Sequence, residues 1–169
     1  KLEDSYGGVR RAAVDALGKL EAAALAQHAP ALVAKLEDSY GGVRRVAVNA
    51  LGKLQAAALA QHAPALVAKL EDSYGGVRRV AVNALGKLEA AALAQHAPAL
   101  VAKLEHSYGG VRRAAVDALG KLEAAALAQH APALVAKLED TDPGVREAAG
   151  KIVNRNSALV VVLGALFSF

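Results

Sequence analysis

The chain has 169 residues, a net charge of +4 from 20 basic and 16 acidic side chains, and no Cys, Met or Trp. The missing Cys excludes a disulfide framework, a thiolate metal site and a cysteine nucleophile, and two Phe with four Tyr are too few for an ordinary compact core built on large aromatics. A charge this mild permits an acidic partner without requiring one.

The chain repeats itself. KLEDSYGG begins at Lys1, Lys35 and Lys69, and KLEHSYGG begins at Lys103, a period of 34 residues. A degenerate unit opens at Lys137 as KLEDTDPGVREAA. Repeats 1–34, 35–68, 69–102, 103–136 and 137–169 are therefore expected to form a single domain over 1–169. No unit can bury an apolar stripe alone, so stacking is required.

Within the first unit, Val9, Ala12, Ala13, Ala16, Leu17 and Leu20 recur at helical spacing and define one apolar face. Arg11, Asp15 and Lys19 fall on another face, four residues apart. Gly7 and Gly8 are placed before this helix as a flexible connection. A second helix is expected from Ala22 to Glu37, with Leu25, Ala29, Leu32 and Leu36 as its stripe. Pro30 interrupts it and predicts either a kink or a short turn leading into a helix with Pro30 in its first turn. No strand pattern is present. The reading is all-α, an α-solenoid of about nine or ten helices in right-handed superhelical stacking. In the fifth unit Asp142 is an N-cap and Pro143 a first helical residue, so that helix should start more firmly than the others.

The segment 157–169 carries no charge. It is shorter than the roughly 20 residues a spanning helix needs, and is expected to cover the apolar end of the stack or, with the uncovered ends, to drive self-association. No apolar signal segment follows Lys1. With no Met, the chain is expected to be an excised or processed piece, and the absence of Cys makes an intracellular, cytoplasmic setting the default expectation.

The run Pro30 to Asp38 followed by Val43-Arg44, and the run Val9 to Leu20, resemble the HEAT-repeat family, in particular its PBS-lyase-like subfamily. Each Asp precedes an Arg by six residues. The resemblance covers residues 1 to about 153. It implies a ladder of hydrogen bonds along the connections, from Asp4, Asp38, Asp72 and Asp140 with Arg10, Arg44, Arg78, Arg112 and Arg146. It also implies that the Val-Arg helix lines a concave face, that the role is a non-catalytic binding scaffold for protein partners, and that an accessory part in chromophore attachment is an alternative. His106 stands where the other units carry Asp.

Four rows are candidate contacts. Arg11, Arg45, Arg79 and Arg113 share one position, and Lys19, Lys53, Lys87 and Lys121 lie two turns on. Between them stand Asp15, Asn49, Asn83 and Asp117, so the two central units lose an acid and are the most basic part of the array. This basic row suits an acidic protein segment or, alternatively, a nucleic acid or other polyanion. Tyr6, Tyr40, Tyr74 and Tyr108 form an aromatic row in the connections, where Tyr favours interfaces.

His28, His62, His96 and His130 also recur, but equivalent residues about 10 Å apart cannot share a metal that needs ligands at about 2 Å. Four copies of Ser5, Ser39, Ser73 and Ser107 speak for turn chemistry rather than one nucleophile. No cofactor, metal or catalytic residue is expected. Because a neutral imidazole cannot accept the paired bonds of a carboxylate, amide exchange around residues 104–112 is expected to be faster than around 70–78. Equal protection in native-state hydrogen exchange would contradict a weakened link at His106.

Overall fold

The structure, a computed structural model, describes residues 1–156, and the reading of the tail 157–169 lies outside the described residues. The chain divides into two compact units, one spanning Lys1–Glu89 and the other beginning at Ala90. The first holds α1 (Gly7–Leu17), α2 (Ala22–Gln27), α3 (Ala29–Ala34), α4 (Gly41–Leu51), α5 (Ala56–Ala60), α6 (Ala63–Ala68) and α7 (Gly75–Leu85). The second holds α8 (Ala90–Ala94), α9 (Ala97–Ala102), α10 (Gly109–Leu119), α11 (Ala124–Ala128), α12 (Ala131–Ala136) and α13 (Pro143–Arg155). No described residue lies in a strand. The fold is an all-α solenoid of repeated helical units.

Thirteen α-helices stand among the described residues, more than the nine or ten read from periodicity. The excess comes from the second helix of each unit, which is split in two. His28 leaves the helical region at φ −98°, ψ 1°, and Pro30 sits in the first turn of α3, where its missing N–H costs nothing. A 3₁₀ turn, Lys35–Glu37, ends this helical run at the start of the next repeat. The same break recurs in the later units. The first helix of each unit also begins earlier than its pattern suggests: Gly7 and Gly8 are the first two residues of α1, not a connection before it.

In the first unit α1 packs on α4 and α4 on α7, with α3 behind α4 and α6 behind α7. In the second, α10 packs on α13, with α9 behind α10 and α12 behind α13. The core is a thin layer of Leu, Val and Ala. Leu25, Leu32, Leu51, Leu59, Leu66 and Leu85 are fully buried in the first unit, and Leu100, Leu119 and Leu134 in the second.

Close approach depends on small residues at the C-terminal ends of α1 and α4. A Cβ on Gly18 would lie 3.3 Å from that of Ala50, and one on Gly52 would lie 3.2 Å from that of Ala84. Lys53 Nζ donates to Gly18 O, and Lys87 Nζ to Gly52 O. Each ammonium thus caps a helix end left with orphan carbonyls by the preceding repeat.

Gly150, inside α13, is different: only Leu138 Cδ2, at 3.9 Å, stands near a Cβ there. Gly150→Ala is therefore expected to raise stability by about 0.5–1 kcal/mol through helix propensity. Leu66→Ala, which opens a void in the core, is expected to lose about 2–5 kcal/mol. Denaturant unfolding of the two variants checks both signs, and a destabilised Gly150→Ala would show that α13 is packed more tightly than described.

Candidate functional site

The surface near the N-termini of the first helices is built on charged links between repeats. Arg10 Nη1 donates to the backbone oxygen of its own Asp4 at 2.8 Å, while its Nε and Nη2 donate to the carboxylate of the following repeat's Asp38 at 2.7 and 2.8 Å. Arg44 repeats this with Asp38 O and the Asp72 carboxylate. In the second unit Arg112 does so with His106 O and the Asp140 carboxylate. Each guanidinium thus joins two repeats in a bidentate pair, the geometry in which arginine binds a carboxylate best. Arg78 and Arg146 make the same bonds to the backbone oxygens of Asp72 and Asp140.

Each carboxylate also accepts the N–H two residues on: Tyr6 at Asp4, Tyr40 at Asp38, Tyr74 at Asp72 and Asp142 at Asp140. His106 fills that local role with Nδ1, which accepts from Tyr108 N at 3.0 Å.

These bonds set the acidities. The Arg10 hydrogen bond holds Asp38 below the usual carboxylate value against the opposing effect of burial, and Arg112 does the same for Asp140. At Asp72 burial is the largest influence and pushes upward. The bonds from Arg44 and the Tyr74 N–H, with the charges of Arg44 and Lys69, outweigh it, so that carboxyl also lies low.

A second set of links runs the opposite way and was not among the candidates drawn from sequence. Lys35 Nζ lies 2.7 Å from Glu3 of the preceding repeat, Lys69 pairs with Glu37 at 2.9 Å, and Lys137 with Glu105 at 2.8 Å. The lysines are buried, whereas their glutamate partners are largely exposed. Nothing in a single repeat signals this role, because Lys35 and Glu37 read as an ordinary polar helix end.

The tyrosines explain the glycine pairs. A Cβ on Gly42 would lie 2.8 Å from Tyr40 Cε1, and one on Gly76 would lie 2.9 Å from Tyr74 Cε1. A Cβ on Gly7 would meet Tyr40 Cδ1 at 3.0 Å, and one on Gly41 would meet Tyr74 at 3.1 Å. Each ring therefore lies across bare backbone of its own repeat and of the one before, which only glycine permits. Tyr40 and Tyr74 are nevertheless about half exposed, at 48% and 49%, and Tyr6 more so at 72%. In the second unit Tyr108 covers Gly110, whereas Asp142 replaces the ring over Gly109 and caps α13 by accepting from Gly144 and Val145 N–H.

Between Tyr40 and Tyr74 lies an open cleft of about 460 Å³, lined by Arg11, Arg44, Arg45, Ser39, Ser73 and Gly41–Gly42. Its wall contains no carboxylate. Arg44 is engaged by Asp72, but among the described residues Arg11 and Arg45 have no ion-pair partner. Arg45 lies over Gly76 beside the Tyr74 ring, and its buried Nε has no hydrogen-bond acceptor. A smaller cleft of about 350 Å³ separates Tyr6 from Tyr40.

The other candidate residues are placed as follows. Arg79 is exposed on α7, and Arg113 on α10 pairs loosely with Asp117 at 3.8 Å. Asn49 and Asn83 are exposed on α4 and α7 and border a small hollow with Lys87. Lys19 pairs with Asp15 at 3.7 Å, and Lys121 follows α10. Lys53 and Lys87 are occupied with the helix ends described above. His28, His62, His96 and His130 stand at or beside the break in the second helix. Among the described residues no three His, Asp or Glu come together to hold a metal, and no helix is long and apolar enough to cross a membrane.

Residues 1–86 match the family model for HEAT repeats. The chain belongs to the HEAT-repeat family. Solved structures share the fold. A designed armadillo repeat protein in complex with the peptide (KR)4 is 21% identical, with a TM-score of 0.73 over 94% of this chain and 78% of that one. An engineered protein is 19% identical, with a TM-score of 0.74 over 95% and 76%. The complex of CpcE and CpcF of phycocyanin lyase from Nostoc sp. PCC7120 is 25% identical, with a TM-score of 0.68 over 99% and 68%. A comparison with curated proteins gave no match.

The low-lying carboxyls fix an acid response for these HEAT repeats. Since Asp38, Asp72 and Asp140 hold their protons less tightly when folded, the stability they add is complete above the unfolded carboxylate value near 4. It is lost as pH falls through their lower folded values. Thermal unfolding should thus show little change from these groups between pH 7 and about 5, and a fall below about pH 4 that is shallower in Asp38→Asn. An equally steep fall in that variant would contradict the assignment.

Proposed function

We propose that the chain is a non-catalytic scaffold that binds a protein segment, with the cleft between Tyr40 and Tyr74 as its principal contact. The observation that carries this reading is the cleft itself: two half-exposed aromatic rings and two arginines without acidic partners, around a wall that holds no carboxylate. Tyr and Arg are the side chains that most often dominate protein interfaces, and a desolvated guanidinium lacking an acceptor gains most from a carboxylate brought by a partner. In the HEAT architecture the helix that carries Arg11 and Arg45 lines the concave face, which supports the same surface. Lys53 and Lys87, already bonded to helix ends, are left out of the contact.

The same arginines would also attract phosphates, so a nucleic acid or other polyanion is the competing ligand. The likeness to phycocyanin lyase subunits supports a further alternative, an accessory part in chromophore attachment, for which bilin retained by the purified chain would be the sign.

Fluorescence anisotropy with labelled (DE)4, (KR)4 and a single-stranded oligonucleotide, at about 50 and 200 mM salt, separates the first two readings. The acidic peptide is expected to bind and the basic one not, and Arg11→Glu/Arg45→Glu should weaken (DE)4 at least tenfold. Oligonucleotide binding that falls steeply with salt, without peptide binding, would move the function to polyanions. Binding of neither would overturn the cleft as a contact.

A further inference from the structure

We infer that the segment bound by this cleft is extended and carries acidic side chains three residues apart, one for each repeat. This rests on the reading that the Tyr40–Tyr74 surface binds a protein segment, and it adds the partner's sequence pattern. Arg11 on α1, Arg45 on α4 and Arg79 on α7 hold the same position in successive repeats. Because α1 packs on α4 and α4 on α7, the row advances by one helix-packing distance per repeat, roughly 8–10 Å. An extended chain in the polyproline II form rises about 3.1 Å per residue with three residues per turn, so side chains three apart share one face and cover that step, while two fall short and four overshoot.

The tyrosines decide against a helical ligand. Their rings stand one repeat apart, pinned on glycine backbone. A helix with its side chains is about 10–12 Å across, too wide to enter between walls so spaced. Single side chains of an extended segment fit a cleft of about 460 Å³.

The charges decide its sign. Four residues beyond Arg45 and Arg79 stand Asn49 and Asn83, where Arg113 has Asp117 at 3.8 Å. Asp15, four residues beyond Arg11, is bridged to Lys19 instead. Arg11, Arg45 and Arg79 thus meet no acid on their own helix, and carboxylates at i, i+3 and i+6 would supply one to each.

The test uses three labelled peptides with three Asp each, set two, three or four residues apart on a Gly-Ser background, at equal net charge and about 50 mM salt. The full chain, Arg45→Gln and Arg79→Gln are compared, with circular dichroism melts to confirm that both variants fold. Arg79→Gln removes an exposed side chain and guards against misfolding at the more buried Arg45. The three-residue spacing is expected to bind about tenfold tighter than the others. Each variant should erase that advantage, and Asp→Asn at the peptide's central position should add nothing further in Arg45→Gln. Equal affinity of all three peptides would overturn the spacing while leaving segment binding intact. If none of the three binds where (DE)4 does, the spacing fails alone. If neither these nor (DE)4 binds, the cleft reading fails as well.

Discussion

Everything on this surface hangs from the guanidinium that spans two repeats. Arg10, Arg44 and Arg112 each hold a backbone oxygen of their own repeat and both carboxylate oxygens of the next. The helices themselves meet through a thin layer of Ala, Val and Leu. A bidentate ion pair has one geometry, and the Asp side chains in these pairs are about 95% buried. The oppositely directed Lys35–Glu3, Lys69–Glu37 and Lys137–Glu105 pairs have one end in solvent and add less. Packing supplies most of the free energy, and the arginine supplies the register.

That register shapes the surface proposed for binding. Fixing one repeat on the next sets each tyrosine over glycine backbone of both, so the ring becomes a wall rather than a loose side chain. It also separates the two consecutive arginines of each helix into distinct tasks. Arg44 faces the seam and is consumed by Asp72, while Arg45, one residue on, lies over Gly76 with its Nε buried and without an acceptor. One arginine joins two repeats, and its neighbour is left without a carboxylate.

Much of this was legible in the sequence, because identical units repeated in phase report helix faces, connections and rows directly. The 34-residue period located every repeat, and Asp142-Pro143 announced the cap of α13. Three things were hidden. The split of the second helix needs backbone angles at His28 that an apolar stripe does not encode. The glycine pairs read as flexible joints, since a single repeat does not contain the ring that covers Gly7, which belongs to Tyr40. The Lys rows read as one basic face, although Lys53 and Lys87 reach back to carbonyls of the preceding repeat. Each hidden feature is a contact between repeats, which a pattern within one repeat cannot show.

The division of labour between neighbouring arginines can be observed atom by atom. Arginine Nε–H signals of the full chain, followed by NMR while an acidic peptide is added, report each guanidinium separately. The account predicts that Arg11 and Arg45 shift and saturate together, while Arg10, Arg44 and Arg112, bound to carboxylates within the fold, stay where they are. Shifts of equal size at all five, or at none, would contradict a built acceptor-seeking cleft and reduce the arginine row to solvated surface.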